Sequence, residues 1–235
     1  SGEEALAYLP HAYAPLDTRR IVAPIPNHTE AGLPEKGFVY CCFNNPRKIT
    51  PDFFHLWCDL LSATPNAVLW LFARQDAVIS NLRREAKRRG LDPDRIIFAS
   101  RVSQEEHLAR LTLADLILDT LPYNAHTTTS DALLMGVPVL TCIGNTFAGR
   151  VAASLLRAAD LADMVTYSLE EYRAKALTLA SSPEKLADLR RRLVAARNSA
   201  PYFDMPSFSR HLEALYQRMW QRYEDGLEPD NLGLD

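Results

Sequence analysis

The sequence predicts an α/β fold in which helices cover both faces of a parallel β-sheet, a doubly wound arrangement. Short apolar runs rich in β-branched and aromatic residues recur along the chain, which is typical of strands buried on both faces. Amphipathic segments with helix capping signals lie between these runs, and the connections are short. With 235 residues, of which 47% are hydrophobic and 23% charged, the chain is long enough for one large domain with a substantial core.

Six apolar runs are predicted to form the strands. The first reads FVYCCF and the second AVLWLF, so neither alternates polar and apolar positions as a half-exposed strand would. The sixth run is the shortest. The predicted strands are residues 38–43, 67–72, 95–99, 115–119, 137–141 and 164–167.

Helices are predicted between the strands and after the last one. Pro51 stands near the start of the first helix, and Gly90 follows the second as a natural residue just beyond a helix end. The segment 103–106 reads SQEE, a capping box that opens the third helix, and SLEE at 168–171 repeats the signal. The predicted helices are residues 52–63, 77–89, 103–113, 128–135, 149–158, a segment from 168, a segment from 182, and 208–223.

Composition divides the chain into three parts. Residues 1–37 contain five prolines and little periodicity, so they are predicted to form an extended lead-in. Residues 38–226 hold the predicted strands and helices and form the domain. The acidic residues 227–235 form a tail.

Charge and cysteine content exclude several classes of protein. The 26 basic and 29 acidic side chains give a formal net charge of −3, without the basic surface that a nucleic-acid binder needs. No run approaches the roughly 18 apolar residues of a membrane span. The 4 cysteines include no C-x-x-C pair and no histidine at metal-ligand spacing. We therefore expect a reduced, cytoplasmic protein that binds neither nucleic acid nor a membrane.

Ligands of doubly wound folds bind beyond the carboxyl ends of the strands, so we expect the ligand-binding residues in the loops there. The loop after the fourth strand ends in His126, three threonines and Ser130 at the start of a helix. The free N–H groups of a first helical turn carry partial positive charge, and Thr127, Thr128 and Thr129 would add hydroxyl donors. We interpret this segment as a diphosphate site. The alternative is ordinary helix capping by threonine or serine.

Four other side chains belong to loops or helices at the same edge of the sheet. Asp131 lies one turn into the helix, where it either accepts hydrogen bonds from ribose hydroxyls or stabilises the helix dipole. His107 and Arg110 share a helix face after the third strand, and they either flank a base or decorate the surface. Lys48, near the start of the first helix, either meets a leaving phosphate or is solvated. The residues alone leave these alternatives open.

Two patterns point away from a metal ion or a cofactor. The segment Asp92-Pro93-Asp94 matches the D-x-D pattern that holds a metal-bound nucleotide in some transferases. It precedes the amino end of the third strand, which is the wrong edge of the sheet, so we interpret it as a turn. No G-x-G-x-x-G fingerprint follows the first strand, so a dinucleotide cofactor is unsupported. We predict neither a metal nor a cofactor.

Several segments carry a resemblance to a known family. CCFNNPRKITP at 41–51, NAVLWL at 66–71, LDTLPYNAHTTTSDAL at 118–133 and GRVAASLL at 149–156 occur in order with the expected spacing. From about residue 38 to 226 the chain resembles the carboxyl-terminal catalytic lobe of the O-linked N-acetylglucosamine transferase family, which includes the SPINDLY-like proteins. The resemblance is to the bacterial type of this family. The resemblance implies the GT-B architecture, in which two Rossmann-like lobes face each other. This chain would be the donor-binding lobe.

The resemblance implies roles for the first and fourth loops. His126, Thr127 and Thr128 would bind the diphosphate of a UDP-sugar. Lys48 would be the catalytic residue, neutralising the β-phosphate as UDP leaves, with Asn45 nearby.

The resemblance also implies a nucleoside site. His107 would stack by the uracil, helped by Arg110 and by the backbone of Val102, and Asp131 would hold the ribose. Gln104 belongs to the same site and stands where the family has a lysine that contacts the nucleotide.

The resemblance implies that the chain is the donor-binding half of an inverting, metal-independent enzyme. This enzyme would transfer a sugar, GlcNAc, from UDP to a protein serine or threonine. The acceptor side would come from the other lobe, of which residues 4–13 resemble the end, and from tetratricopeptide repeats. The chain alone is therefore predicted to be inactive. The alternatives are a nucleotide-binding or protein-interaction module without transfer activity, and a transferase for a different nucleotide sugar.

Overall fold

The six predicted strands form one parallel sheet in the computed structural model, which describes residues 4–234. Two further short strands pair with each other outside this sheet. The strands are β1 (Ala7–Tyr8), β2 (Val39–Cys42), β3 (Val68–Phe72), β4 (Ile96–Ala99), β5 (Leu116–Leu118), β6 (Val139–Cys142), β7 (Val165–Thr166) and β8 (Leu232–Gly233). The order in the sheet is β4-β3-β2-β5-β6-β7, with every neighbouring pair parallel. The predicted parallel sheet is confirmed.

The α-helices fall close to the segments that the sequence predicts. Capping explains several of their starts. Ser103 accepts a hydrogen bond from the backbone N–H of Glu106 at 3.2 Å, and the Glu106 carboxylate accepts one from the Ser103 N–H at 2.8 Å. The helices are α1 (Pro51–Ala63), α2 (Asp76–Arg88), α3 (Gln104–Leu111), α4 (Thr127–Leu134), α5 (Val151–Ala158), α6 (Leu169–Ser181), α7 (Pro183–Ala196) and α8 (Met205–Glu224).

Helices cover both faces of the sheet. Crossovers between parallel strands are right-handed, so helices placed before and after the reversal of strand order lie on opposite faces. On one face α1 packs against α6, and on the other α4 packs against both α3 and α5. This is the doubly wound arrangement that the alternation of elements predicts.

The strands are apolar because both of their faces are buried. All four residues of β2 are buried, and Trp70 in β3 is 1% exposed. Large aromatic side chains from the helices complete this core, with Trp57 in α1 and Tyr172 in α6 both fully buried. The cysteines are buried and unpaired, and burial raises the pKa of Cys42 to about 12, so the thiols pack as small hydrophobic groups.

The lead-in is extended, but it packs against the domain. Leu16 and Leu33 are 2% and 5% exposed, and the Ala23 N–H donates to the Glu105 carbonyl at 3.2 Å. Strand β1 of the lead-in pairs in parallel with β8 of the tail. The divisions at residues 37 and 226 therefore mark a change of secondary structure and not an end of packing. Residues 1–3 and 235 of these predicted segments lie outside the described residues.

Two local predictions have different outcomes. The last helix begins at Met205 and not at residue 208, because the Asp204 carboxylate accepts from the Ser207 N–H at 2.9 Å and caps an earlier start. The Asp92-Pro93-Asp94 segment is a turn before β4, as predicted, in which the Asp92 carboxylate accepts from the Asp94 N–H at 2.9 Å.

Between residues 4 and 234 no helix is long and apolar enough to cross a membrane.

Candidate functional site

The strand order reverses between β2 and β5, which are neighbours at the centre of the sheet. The loops after these two strands meet at the carboxyl edge. The Asn44 amide in the first loop donates to the Thr120 hydroxyl in the second at 2.9 Å. In open α/β sheets such a reversal leaves a crevice where ligands bind.

Lys48 lies in this crevice beside the loop that precedes α4. Its Nζ donates to the backbone carbonyl of Asn124 at 2.9 Å and sits 4.0 Å from the ring centroid of Tyr123. The backbone N–H of Lys48 bonds to the carbonyl of Asn45, which places the two predicted residues in one tight turn. Burial lowers the pKa of Lys48. The structure thus brings Lys48 to the loop that leads into the predicted diphosphate site.

The amino end of α4 carries two of the predicted donors. Thr127, the first residue of the helix, is exposed, and Thr128 is half-buried. The Ser130 N–H makes the first backbone bond of the helix, to the His126 carbonyl at 3.1 Å. The N–H groups of the preceding turn therefore have no partner within the helix.

The prediction that five polar side chains crowd at this helix end is wrong for Thr129 and Ser130. Both are buried, and their hydroxyls donate back to the carbonyls of Ala125 and His126, each at 3.2 Å. The Ser130 hydroxyl also accepts from the Tyr202 hydroxyl at 2.6 Å. The helical period turns these two positions towards the interior, where serine and threonine bond to the carbonyl four residues earlier.

His126 lies among aromatic side chains at the helix start. Its Nδ1 is 3.2 Å from the hydroxyl of Tyr13, and its ring stacks on Tyr123 with centroids 5.1 Å apart. Phe147 also contacts Tyr13, with ring centroids 5.3 Å apart. Burial lowers the pKa of His126 from 6.5, so the imidazole is neutral near pH 7.

Asp131 is buried and paired with a residue that sequence reasoning missed. The Nη1 of Arg20, in the lead-in, donates to Asp131 Oδ1 at 2.7 Å. The second carboxylate oxygen lies 3.7 Å from the Nε2 of His107. Burial raises the pKa of Asp131, and the guanidinium of Arg20 opposes this rise.

His107 and Arg110 point inwards, so the alternative that they decorate the surface is wrong. The guanidinium of Arg110 donates to the Ser100 carbonyl at 2.7 Å and lies 4.7 Å from the ring centroid of Phe43. The His107 ring is 5.6 Å from the same Phe43 ring. Burial, reinforced by Arg110 and Arg20, lowers the pKa of His107 to about 4. At 3.7 Å the Asp131 carboxylate is too far for a hydrogen bond that would hold a proton on this imidazole.

An open cleft of about 480 Å³ joins the α3 side of the site to α4. Five of the predicted residues line it, together with the rings of Phe43 and Phe72. They are Val102, Gln104, His107, Arg110 and Thr128. Lys48, Asn45, His126, Thr127 and Asp131 are not part of this lining; they occupy the adjoining β2 and β5 loops and α4.

Asp119 organises the loop between β5 and α4, a role that sequence reasoning did not assign. It is 1% exposed and accepts hydrogen bonds from the Thr141 hydroxyl and the Ala125 N–H, both at 2.6 Å. The Asn44 amide also donates to it, at 3.3 Å. Burial raises the pKa of Asp119 to about 6. The available signal was an acid at the carboxyl end of an apolar strand.

Residues 15–212 match the model of glycosyl transferase family 41. The chain belongs to this family. Family membership confirms the resemblance on which the donor-lobe interpretation depends.

Relatives in the family are much longer than this chain. A protein of Arabidopsis thaliana named as the probable UDP-N-acetylglucosamine–peptide N-acetylglucosaminyltransferase SEC is 38% identical, over 97% of this chain and 24% of its own length. The UDP-N-acetylglucosamine–peptide N-acetylglucosaminyltransferase of Caenorhabditis elegans is 36% identical, over 85% of this chain and 17% of its own. The chain therefore spans about a quarter or less of these relatives.

A solved structure of a similar protein supports the fold. A mutant of the O-GlcNAc transferase of Thermobaculum terrenum, 36% identical, matches with a TM-score of 0.80 over 90% of this chain and 40% of its own. An Escherichia coli trehalose-6-phosphate protein bound with UDP-2-fluoro glucose shares the fold at 16% identity, with a TM-score of 0.58. The prediction of a Rossmann-like lobe of the GT-B type is confirmed.

Proposed function

We propose that this chain binds the UDP-sugar donor, UDP-GlcNAc, for an inverting protein O-glycosyltransferase of family 41. The observation that carries the proposal is the position of Lys48, which is hydrogen-bonded to Asn124 next to the amino end of α4. A lysine cation and the free N–H groups of a helix start, gathered at a reversal of strand order, are suited to a diphosphate.

The chemistry beside the cleft, at Lys48 and the start of α4, is electrostatic. Negative charge develops on the β-phosphate as the bond to the sugar breaks, and Lys48 would stabilise that charge together with the first turn of α4 at Thr127 and Thr128. Groups that are already positioned for developing charge cost no reorganisation during the reaction. Because these groups supply the positive charge, we propose a reaction that needs neither a metal ion nor a cofactor.

The nucleoside would occupy the cleft on the α3 side. Uracil would lie by the His107 ring, with Arg110 and the backbone of Val102 beside it, and Gln104 at the rim. The ribose would lie between this group and the Asp131 carboxylate, which can still accept hydrogen bonds at Oδ2. The neutral state of His107 suits stacking on a base better than contact with a phosphate.

The acceptor side belongs to a longer chain. The family relatives are named as transferases that act on peptides, so we propose a protein serine or threonine hydroxyl as the acceptor and a cytoplasmic location for the parent protein. The other GT-B lobe and tetratricopeptide repeats would present that protein. A single Rossmann-like lobe holds only the donor, so we expect the 235-residue chain to bind UDP without transferring sugar.

Titration calorimetry of the 235-residue chain with UDP, UMP and uridine tests the proposal. We expect the affinity to fall in that order, because each step removes a phosphate that Lys48 and α4 would hold. His126→Ala and Asp131→Ala should weaken UDP binding, whereas Asp188→Ala, at an exposed position in α7, should leave it unchanged. No UDP binding at millimolar concentration would contradict the proposal and favour a protein-interaction module.

A further inference from the structure

The lead-in crosses the carboxyl edge of the sheet and contacts both α3 and α4. Its Tyr13 hydroxyl reaches His126, and its Arg20 reaches Asp131. Beyond them, the Ala23 N–H donates to a carbonyl in α3. The segment that looks like a linker in the sequence therefore forms part of the wall of the candidate site.

We propose that Arg20 is a positioning residue of the nucleotide site, holding the Asp131 carboxylate ionised and oriented for the ribose. The inference rests on the proposed function. The Arg20–Asp131 pair is short, at 2.7 Å, and well shielded, with side-chain exposures of 19% and 5%. An ion pair so placed is screened far less by solvent than one on an open surface.

The charge state of Asp131 decides what it can bind. An ionised carboxylate accepts hydrogen bonds on both oxygens, whereas a protonated one becomes a donor at one of them. Ribose hydroxyls donate most simply to the ionised form. Burial alone favours the protonated form of Asp131, and Arg20 opposes that effect.

The other titratable groups that face Asp131 do not replace Arg20. His107 in α3 lies 3.7 Å from Oδ2, and its pKa is lowered to about 4, so it carries no charge at neutral pH. Tyr202, in the turn before α8, has its pKa raised to about 12 by burial and is also neutral. Among these neighbours Arg20 is the cation.

The pair leaves one oxygen of Asp131 able to accept further hydrogen bonds. Arg20 occupies Oδ1, and Oδ2 faces a neutral imidazole at a distance too long for a hydrogen bond. A carboxylate oxygen retains acceptor capacity in that position. Arg20 would thus fix the carboxylate from one side while Oδ2 meets the ribose from the other.

The test measures UDP affinity by titration calorimetry at pH 8 and pH 6 for the 235-residue chain and its variants. Arg20→Met should weaken binding roughly tenfold at pH 8, because a buried carboxylate loses its charged partner. The loss should be larger at pH 6, because without the guanidinium the pKa of Asp131 rises. The affinity of each variant is divided by that of the unsubstituted chain at the same pH, which cancels the effect of protonation of UDP itself. Arg20→Lys should restore most of the affinity, and the neighbouring Arg19→Met should bind as the unsubstituted chain does.

A double variant separates positioning from other roles. In an Asp131→Asn background, Arg20→Met should cause no further loss of affinity. Equal losses at both pH values, or an undiminished loss in the Asp131→Asn background, would overturn the proposal in favour of a purely structural role. If the unsubstituted chain binds UDP tightly and Arg20→Met binds it with unchanged affinity, the role of Arg20 is overturned while the proposed function stands. No UDP binding by the unsubstituted chain would overturn it together with the proposed function.

Discussion

Lys48 and Asn124 join the two loops at which the strand order reverses, through a 2.9 Å hydrogen bond from the ammonium group to the backbone carbonyl. Asn124 lies two residues before His126 in the chain, so the cation is fixed next to the start of α4. Its partner is a carbonyl and not a carboxylate, which leaves the positive charge available to an anion. This single contact links the strand order to the proposed chemistry.

Replacing Lys48 with methionine should weaken the binding of UDP and leave the binding of UMP nearly unchanged. The reason is that the ammonium group would meet the β-phosphate, which UMP lacks. A hydrogen bond to a charged group is worth enough that we expect a loss of roughly tenfold to a hundredfold for UDP. Titration calorimetry with the two nucleotides measures this difference.

Lys36→Met is the matched control, since Lys36 is exposed in the lead-in. A Lys48→Met variant that loses UDP and UMP affinity equally would show that Lys48 does not act on the second phosphate.

In a chain that also carries the acceptor lobe, Lys48→Ala should lower the turnover rate by a factor on the order of 10²–10³. Transfer assays at saturating donor would measure that effect.

Two threonines of α4 should respond in opposite ways to the same substitution. Thr127 is exposed at the helix start, so Thr127→Val should lower UDP affinity roughly tenfold with little effect on folding. The buried Thr129 hydroxyl donates to Ala125, so Thr129→Val should lower the free energy of unfolding by about 1 kcal/mol and leave UDP affinity unchanged.

Calorimetry and urea unfolding of both variants check this contrast. The pair is matched in chemistry, in helix and in the size of the change, so it isolates which hydroxyl faces the ligand. A loss of UDP affinity in Thr129→Val comparable to that in Thr127→Val would contradict the division of α4 into an outward and an inward set.

The sequence predicted the sheet and much of the site because those features depend on local patterns. Runs such as VYCC in β2 identify buried strands, and the alternation with helices places Lys48 and His126 at one edge. Arg20 and Tyr13 could not be found in this way. Their partners lie 111 and 113 positions away, so the contacts depend on the path of the lead-in across the domain, which no local pattern encodes.

Helix phase and burial explain the other differences between the sequence prediction and the structure. Thr129 looks like Thr127 in the sequence, and only the orientation of α4 shows that its hydroxyl is turned inwards. Asp119 ends a predicted strand, and its role became evident only when Thr141 and Asn44 were placed around its carboxylate. The family resemblance identified the residues at the edge of the cleft, whereas Arg20, Tyr13 and Asp119 were identified only from the structure.

Asp119→Asn should change how the stability of the chain depends on pH. Burial raises the folded pKa of Asp119 from 3.8 to about 6, so the unfolded chain releases this proton first as the pH rises. The contribution of Asp119 to stability is therefore full below pH 4 and is lost as the pH rises to about 6. The loss amounts to at most about 3 kcal/mol relative to the Asn variant, which does not titrate.

Urea unfolding of the chain and of Asp119→Asn at pH 4 and pH 6.5 gives this difference directly. The variant is also expected to be less stable overall, because its amide nitrogen replaces one of the two carboxylate oxygens and so faces the donor from either Thr141 or Ala125. A difference in the free energy of unfolding that stays constant between the two pH values would contradict the raised pKa.

His107 should contribute a pH dependence of the opposite sign in an overlapping range. Its folded pKa of about 4 lies below the ordinary 6.5, so acid favours the unfolded chain, which accepts the proton more readily. The contribution of His107 to stability is therefore full above pH 6.5 and is lost as the pH falls towards 4, by at most about 3 kcal/mol before screening by solvent at the partly exposed ring. His107→Phe keeps a ring beside Phe43 and should remove this loss. Asp119 contributes with the opposite sign over the same range, and other groups titrate there as well, so the effect of His107 is the difference between the pH profile of His107→Phe and that of the unsubstituted chain. Parallel profiles for the unsubstituted chain and His107→Phe would contradict the lowered pKa of His107, as would an NMR titration of His107 with a midpoint near pH 6.5.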